Sequence, residues 1–156
     1  MRRNFFTSEN NQEAAAQLVL QWLNETGKRG FECTVEQIND VFADEFQYIV
    51  NDELCATHAE SLKKRLDVGH TRYESSWIKF PLIESIKFEG GVATAKFEAC
   101  FKDFAGNTIT KTNSISLKFD DKLKVVELCQ CFNPPFNHVI VPIESEIDLS
   151  QSALLL

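Results

Sequence analysis

Basic residues are few and scattered. Sixteen Lys and Arg stand against 23 Asp and Glu, a formal net charge of −7, and the longest basic run is Lys63-Lys64-Arg65. Polyanions and anionic bilayers are gripped by clustered cations, so no nucleic acid and no membrane is expected among the partners. No stretch approaches the roughly 20 apolar residues of a membrane-spanning helix. The opening MRRNFFTSENNQE has no apolar run of signal-peptide length, and the expected location is therefore cytoplasmic. Glycine and proline are scarce, at six and four residues, and no internal repeat is present, so each one is a usable boundary mark. The three histidines, His58, His70 and His138, stand apart and compose no Ser-His-Asp arrangement.

Cysteines number five, an odd count at irregular spacing. That speaks against a disulfide framework and for reduced, buried thiols. A chain of 156 residues buries roughly two-thirds of its unfolded surface and needs neither a disulfide nor a metal to fold. The stretch LCQCFNPPF nevertheless raises a question, because Cys129 and Cys131 stand two apart before a double proline. On a strand both side chains point to one face. A structural zinc site needs about four ligands, whereas Cys33, Cys55 and Cys100 sit on other segments without C-x-x-C spacing. The pair reads as part of a strand; no metal and no cofactor is expected.

The first half has helical periodicity. Thr7 or Ser8 can cap a helix with an apolar stripe at Ala15, Leu18, Val19, Trp22 and Leu23, ended by Gly27 and Gly30. Thr34 and Gln37 form a capping box for a short helix with Val35, Ile38, Val41 and Phe42 on one side. FQYIVND, residues 46–52, is a strand and turn. Thr57 and Glu60 open a third helix with Ala59, Leu62 and Leu66 inward and a stop at Gly69. Residues 70–80 give no clear pattern. The second half reads as four strands, 80–89, 92–104, 108–119 and 123–132, joined by Gly90-Gly91 and two further short turns. Short turns permit only antiparallel pairing, so these strands form a meander. The fold class is α+β, with N-terminal helices packed on a strongly curved antiparallel sheet. Residues 1–137 are read as one domain, and 138–156 as a C-terminal extension that is flexible or touches a partner.

This order of elements resembles the nuclear transport factor 2-like (SnoaL-like) superfamily, with its cone-shaped, cystatin-like fold. The local matches are Val41-Phe42-Ala43-Asp44-Glu45-Phe46, Ile49-Val50-Asn51-Asp52 and Leu117-Lys118-Phe119-Asp120-Asp121-Lys122, with Cys131-Phe132-Asn133-Pro134 similar to a Tyr-Phe-Asp-Pro ending. The resemblance covers about residues 9 to 134 and implies a site inside the cone and a homodimer formed through the sheet. Ketosteroid isomerase-like members carry acids where this chain has Val50 or Asn51, and Ile115; Asp52 is one step away, on the opposite face. Chemistry of that kind is not expected.

Strand alternation selects the residues that face the cone. In 92–104 the inward set is Ala93, Ala95, Phe97, Ala99 and Phe101. In 108–119 it is Ile109, Lys111, Asn113, Ile115, Leu117 and Phe119, opposed by a row of Thr and Ser. In 80–89, Glu84 falls among Phe80, Leu82, Ile86 and Phe88. A carboxylate on an apolar face has a raised pKa suited to acid–base work, which makes Glu84 the catalytic candidate; the competing reading has it at the rim, paired with Lys111. Asn113 needs hydrogen-bond partners if buried, from a ligand, a backbone bulge or a buried water. In the last strand neither face is cleanly apolar, as expected if a second subunit covers the outer one.

Two readings follow. In the first, the cone holds a small apolar or amphipathic ligand among Trp22, Tyr48, Glu84, Phe97, Lys111 and Asn113, with room left by Ala93, Ala95 and Ala99, and binds it alone or with modest acid–base catalysis. In the second, thirteen Phe fill the cone and the outer sheet or tail serves a protein partner.

Overall fold

The structure is a computed structural model that describes residues 8–79 and 86–136. Glu84, the start of the 80–89 strand and the extension 138–156 lie outside these, as does Thr7 of the expected cap.

Three helices precede or interrupt the sheet: α1 (Ser8–Thr26), α2 (Val35–Val41) and α3 (Ala59–Arg72). The strands are β1 (Phe42–Val50), β2 (Glu53–Ala56), β3 (Ser75–Ile78), β4 (Lys87–Glu89), β5 (Val92–Lys102), β6 (Thr108–Phe119) and β7 (Val125–Asn133). They make one sheet in the order β2-β1-β7-β6-β5-β3, and β4 pairs with the other half of the β5 edge. The helices cover one face: α1 lies against β3, β4 and β5, and α3 against β1, β2 and α2. The α+β class and the meander β4–β7 agree with the sequence reading.

The sheet is mixed rather than wholly antiparallel, because β1 runs parallel to β7. A parallel neighbour requires a long connection, and α3 with the whole meander supplies it. Residues 75–78, left without a pattern above, are β3; its four residues are too few to show alternation.

Local chemistry explains most boundaries. The Thr34–Gln37 capping box forms as expected, and Lys124 Nζ donates to the last carbonyls of α2, those of Asn39 and Asp40, both at 2.9 Å. The β1–β2 hairpin turns on Asn51 and Asp52, at φ +47° and +69°, as the turn at Gly90 and Gly91 does at +60° and +79°. Gly27 is dictated by packing: its carbonyl accepts from Ser76 N at 2.8 Å, and a Cβ there would overlap the Ser76 backbone. The core gathers Leu20, Ile38, Phe42, Leu62, Leu117, Val125 and Leu128, all under 2% exposed.

Three expectations about the helices and strands are corrected. Leu18 is 65% exposed, and Ala16 and Leu20 take the buried positions on α1. The α3 cap is His58, whose Nδ1 accepts from Ser61 N at 3.3 Å, rather than Thr57 with Glu60. The same helix passes Gly69 and ends at Arg72, with His70 Nε2 hydrogen-bonded to Thr26 O at 2.7 Å. No helix among the described residues is long and apolar enough to cross a membrane.

Candidate functional site

Registers across the sheet place the inward side chains in transverse rows. Ala93, Leu117, Leu128 and Tyr48 form one row. Ala95, Ile115, Gln130 and Val50 form the next. Phe97, Asn113 and Phe132 form a third, and Ala99 with Lys111 a fourth. The inner face is thus apolar except for a line of polar groups, Gln130, Asn113 and Lys111, on adjacent strands.

Each of these is buried. Tyr48 donates its hydroxyl hydrogen to Gln130 Oε1 at 3.0 Å. Burial drives the Tyr48 pKa upward, with a smaller contribution from Cys55. Asn113 is 2% exposed, and its Oδ1 has no hydrogen-bond partner. On α1, the Trp22 ring packs edge-on to Phe42 with centroids 5.4 Å apart, and its Nε1 is likewise buried without a partner. A buried acceptor and a buried donor thus remain unsatisfied, at a cost of about 1–3 kcal/mol each.

Lys111 stands at the end of this line, 6% exposed. Its ammonium donates to Pro134 O at 2.8 Å and Pro135 O at 3.2 Å, and lies 4.7 Å from the centroid of the Phe136 ring. Burial lowers its pKa. Phe136 closes an aromatic group with Tyr73, Phe101 and Phe132, at centroid separations of 4.9–6.1 Å. Beside it, between α1, α3 and β3, a cavity of about 140 Å³ is lined by Thr26, Arg65, Leu66, His70, Tyr73 and Phe101. Its lining is mixed, with Ser75 and Ser76 beside the charged and aromatic groups and without Lys111, Asn113 or Trp22, and it falls short of the roughly 300 Å³ of a drug-sized site.

The structure therefore brings Tyr48, Asn113, Phe97 and Lys111 onto one face, with Trp22 on the helix above. Glu84 lies outside the described residues. No carboxylate stands on the inner face of β5, β6 or β7 among the described residues. Gln130 was missed in the sequence because β7 carries a bulge at Val126: Phe119 pairs with Val125 and Lys118 with Glu127. Beyond the bulge, Leu128, Gln130 and Phe132 do alternate inward.

Cys129 and Cys131 share the outer face, as the strand reading required, but they are not buried: Cys131 is exposed and Cys129 half-buried. Cys33, Cys55 and Cys100 are buried, and all five are free thiols. No group of three or more metal-ligating side chains is assembled among the described residues. The outer pair lines a groove of about 410 Å³ with Lys87, Thr94, Lys96, Ser114 and Ser116.

By sequence, no family model and no curated protein matches the chain. By structure it resembles a nuclear transport factor 2-like protein of unknown function from Exiguobacterium (TM-score 0.54, 15% identity, 64% of this chain and 82% of that one). It also resembles PrhC from Penicillium brasilianum (TM-score 0.60, 9% identity, 95% and 91%). A third similar structure is a phenazine biosynthesis-related protein from Pseudomonas aeruginosa (TM-score 0.58, 13% identity, 82% and 81%). The chain has the nuclear transport factor 2-like fold.

Proposed function

We propose that the protein binds a small apolar or amphipathic molecule on the inner face of its sheet. The observation that carries this reading is Asn113 Oδ1, a buried acceptor in mid-strand with no partner. A fold retains such a group against a penalty when something else completes it. The buried Trp22 Nε1 donor, and the small Ala95 and Ala99 side chains diagonal to Asn113 on β5, support the same reading. Acid–base catalysis is a further part of the proposal that rests on Glu84 alone.

The outer face supports a second proposal, a homodimer through the sheet. Its rows of Thr and Ser are short enough to let another sheet approach, and the groove they line is open.

The test of the binding reading is native mass spectrometry on protein purified without added ligand, beside Asn113→Leu. The wild type is expected to carry dissociable mass that the variant lacks, while the variant unfolds at equal or higher denaturant, within about 1 kcal/mol. A ligand-free wild type together with a clearly destabilised variant would mean that Asn113 serves the fold, and would favour a protein-interaction module with a filled core.

A further inference from the structure

We propose that Cys129 and Cys131 form a two-sulfur site for monovalent copper, Cu(I), on the outer face of β7. The proposal is independent of the inner-face pocket.

The Cys-x-Cys pair is a sequence motif that the inner face does not use. Its two cysteines alternate on β7 with the inward Gln130 between them, and both line the outer groove. Their cross-strand neighbours on β6 are Ser116 and Ser114, short side chains that leave room beside the sulfurs. On the other side β1 pairs with β7 only as far as Gln130, and Cys131, one residue beyond, is exposed. The remaining thiols, Cys33, Cys55 and Cys100, are buried, away from an ion in solvent.

The backbone around the pair is held in place. Phe132 N donates to Asn51 Oδ1 at 3.0 Å, and Asn51 Nδ2 donates to Phe132 O at 3.2 Å. Asn51 N donates to Gln130 O at 2.8 Å. The two Cα atoms therefore keep the spacing of alternate strand residues, about 6.8 Å. That is the outer limit for a disulfide, and side chains standing parallel do not bring their Cβ atoms to the roughly 3.5–4.5 Å that one needs. The pair thus remains a dithiol. A metal ion between the sulfurs closes the wider gap, since a thiolate binds such an ion at about 2.3 Å, as it does zinc.

Donor chemistry selects the ion. Thiolate is soft and favours Cu(I). A structural zinc site takes about four ligands, and no group of three or more metal-ligating side chains is assembled among the described residues. A monovalent ion with a filled d shell is satisfied by two thiolates in line. Each thiol releases its proton to solvent, both sulfurs bond to the ion, and no electron is transferred. The product carries one negative charge, and Lys87 and Lys96 line the same groove. The surroundings agree: burial raises the Cys129 pKa, Glu127 adds to the rise, Ser116 and Lys118 oppose it, and Cys131 adds a little more. The sulfurs are close enough to repel as thiolates, and a cation between them turns that repulsion into attraction.

The experiment is anaerobic competition for Cu(I) with the chelator bathocuproine disulfonate, at a protein concentration low enough to leave the outer face uncovered. Wild type is expected to bind one equivalent. Cys129→Ser and Cys131→Ser, each checked for folding by circular dichroism, should bind at least tenfold more weakly. X-ray absorption at the copper edge should show two sulfur neighbours and no others. A smaller loss in either variant, or no binding by wild type, overturns the proposal. Zn²⁺ is titrated in parallel: tight zinc binding by wild type that both variants lose means that further ligands reach the pair, and overturns the two-sulfur assignment.

Discussion

Tyr48 and Lys111 sit on one sheet face, yet burial moves their pKa values in opposite directions, each toward its neutral form. The consequences for stability have opposite signs. Folded Tyr48 keeps its proton above the value of about 10 at which the unfolded chain loses it. Its contribution is full below that value and is lost as pH rises beyond it. Folded Lys111 gives up its proton earlier than the unfolded chain does, so its burial penalty is relieved as pH rises toward 10.5. Tyr48→Phe leaves Gln130 Oε1 without its donor and is expected to cost about 1–2 kcal/mol at pH 7. In urea melts at rising pH, the variant should also lose less stability than wild type above about pH 10. Parallel pH profiles for the two proteins would show that Tyr48 is not the titrating group. Alternation in the sequence was enough to place Tyr48, Phe97, Lys111 and Asn113 near the site. It could not find Gln130, because one extra residue at Val126 reverses the parity of everything before it.

Periodicity and caps marked most of the elements, and the misplaced end of α3 and the unread β3 share a cause: a partner distant in sequence. α3 illustrates this. Gly69 is a natural stop, but Tyr73 N donates to Gly69 O at 3.1 Å and the His70 bond to Thr26 ties the last turn to the end of α1, so the helix continues. β3 is fixed in the same way, by Gly27 O on one side and by β5 on the other. Gly69 thus stands inside a helix with open space around its Cβ position. Gly69→Ala is expected to stabilise the protein by about 0.5–1 kcal/mol, from reduced backbone freedom in the unfolded chain. Chemical denaturation measures it. A loss of stability instead would mean that the last turn of α3 does not keep helical geometry in solution.

At the scale of the molecule, the sheet separates two chemistries, buried polar groups on one face and short hydroxyl and thiol side chains on the other. The outer rows run Lys96-Ser114-Cys131 and Lys87-Thr94-Ser116-Cys129. The sequence showed which residues share this face but not that Cys131 is open to solvent, since exposure depends on what covers β7 and not on alternation. Two sheets pack face to face at about 10 Å, a distance that short side chains allow, and a two-fold axis would set each row against its own copy. A stable interface of this kind buries about 1,600 Å² in total. Sedimentation equilibrium should therefore find a dimer, and Lys96→Glu, which reverses the charge at the β5 end of one row, should shift it toward monomer. Cys131 reports on the same face independently: its alkylation should slow as protein concentration rises through the dissociation constant, while Lys96→Glu alkylates at one rate throughout. A monomeric wild type at 100-fold the alkylation concentration, with a rate that never changes, would leave the outer face free and return the question of its partner to some other protein.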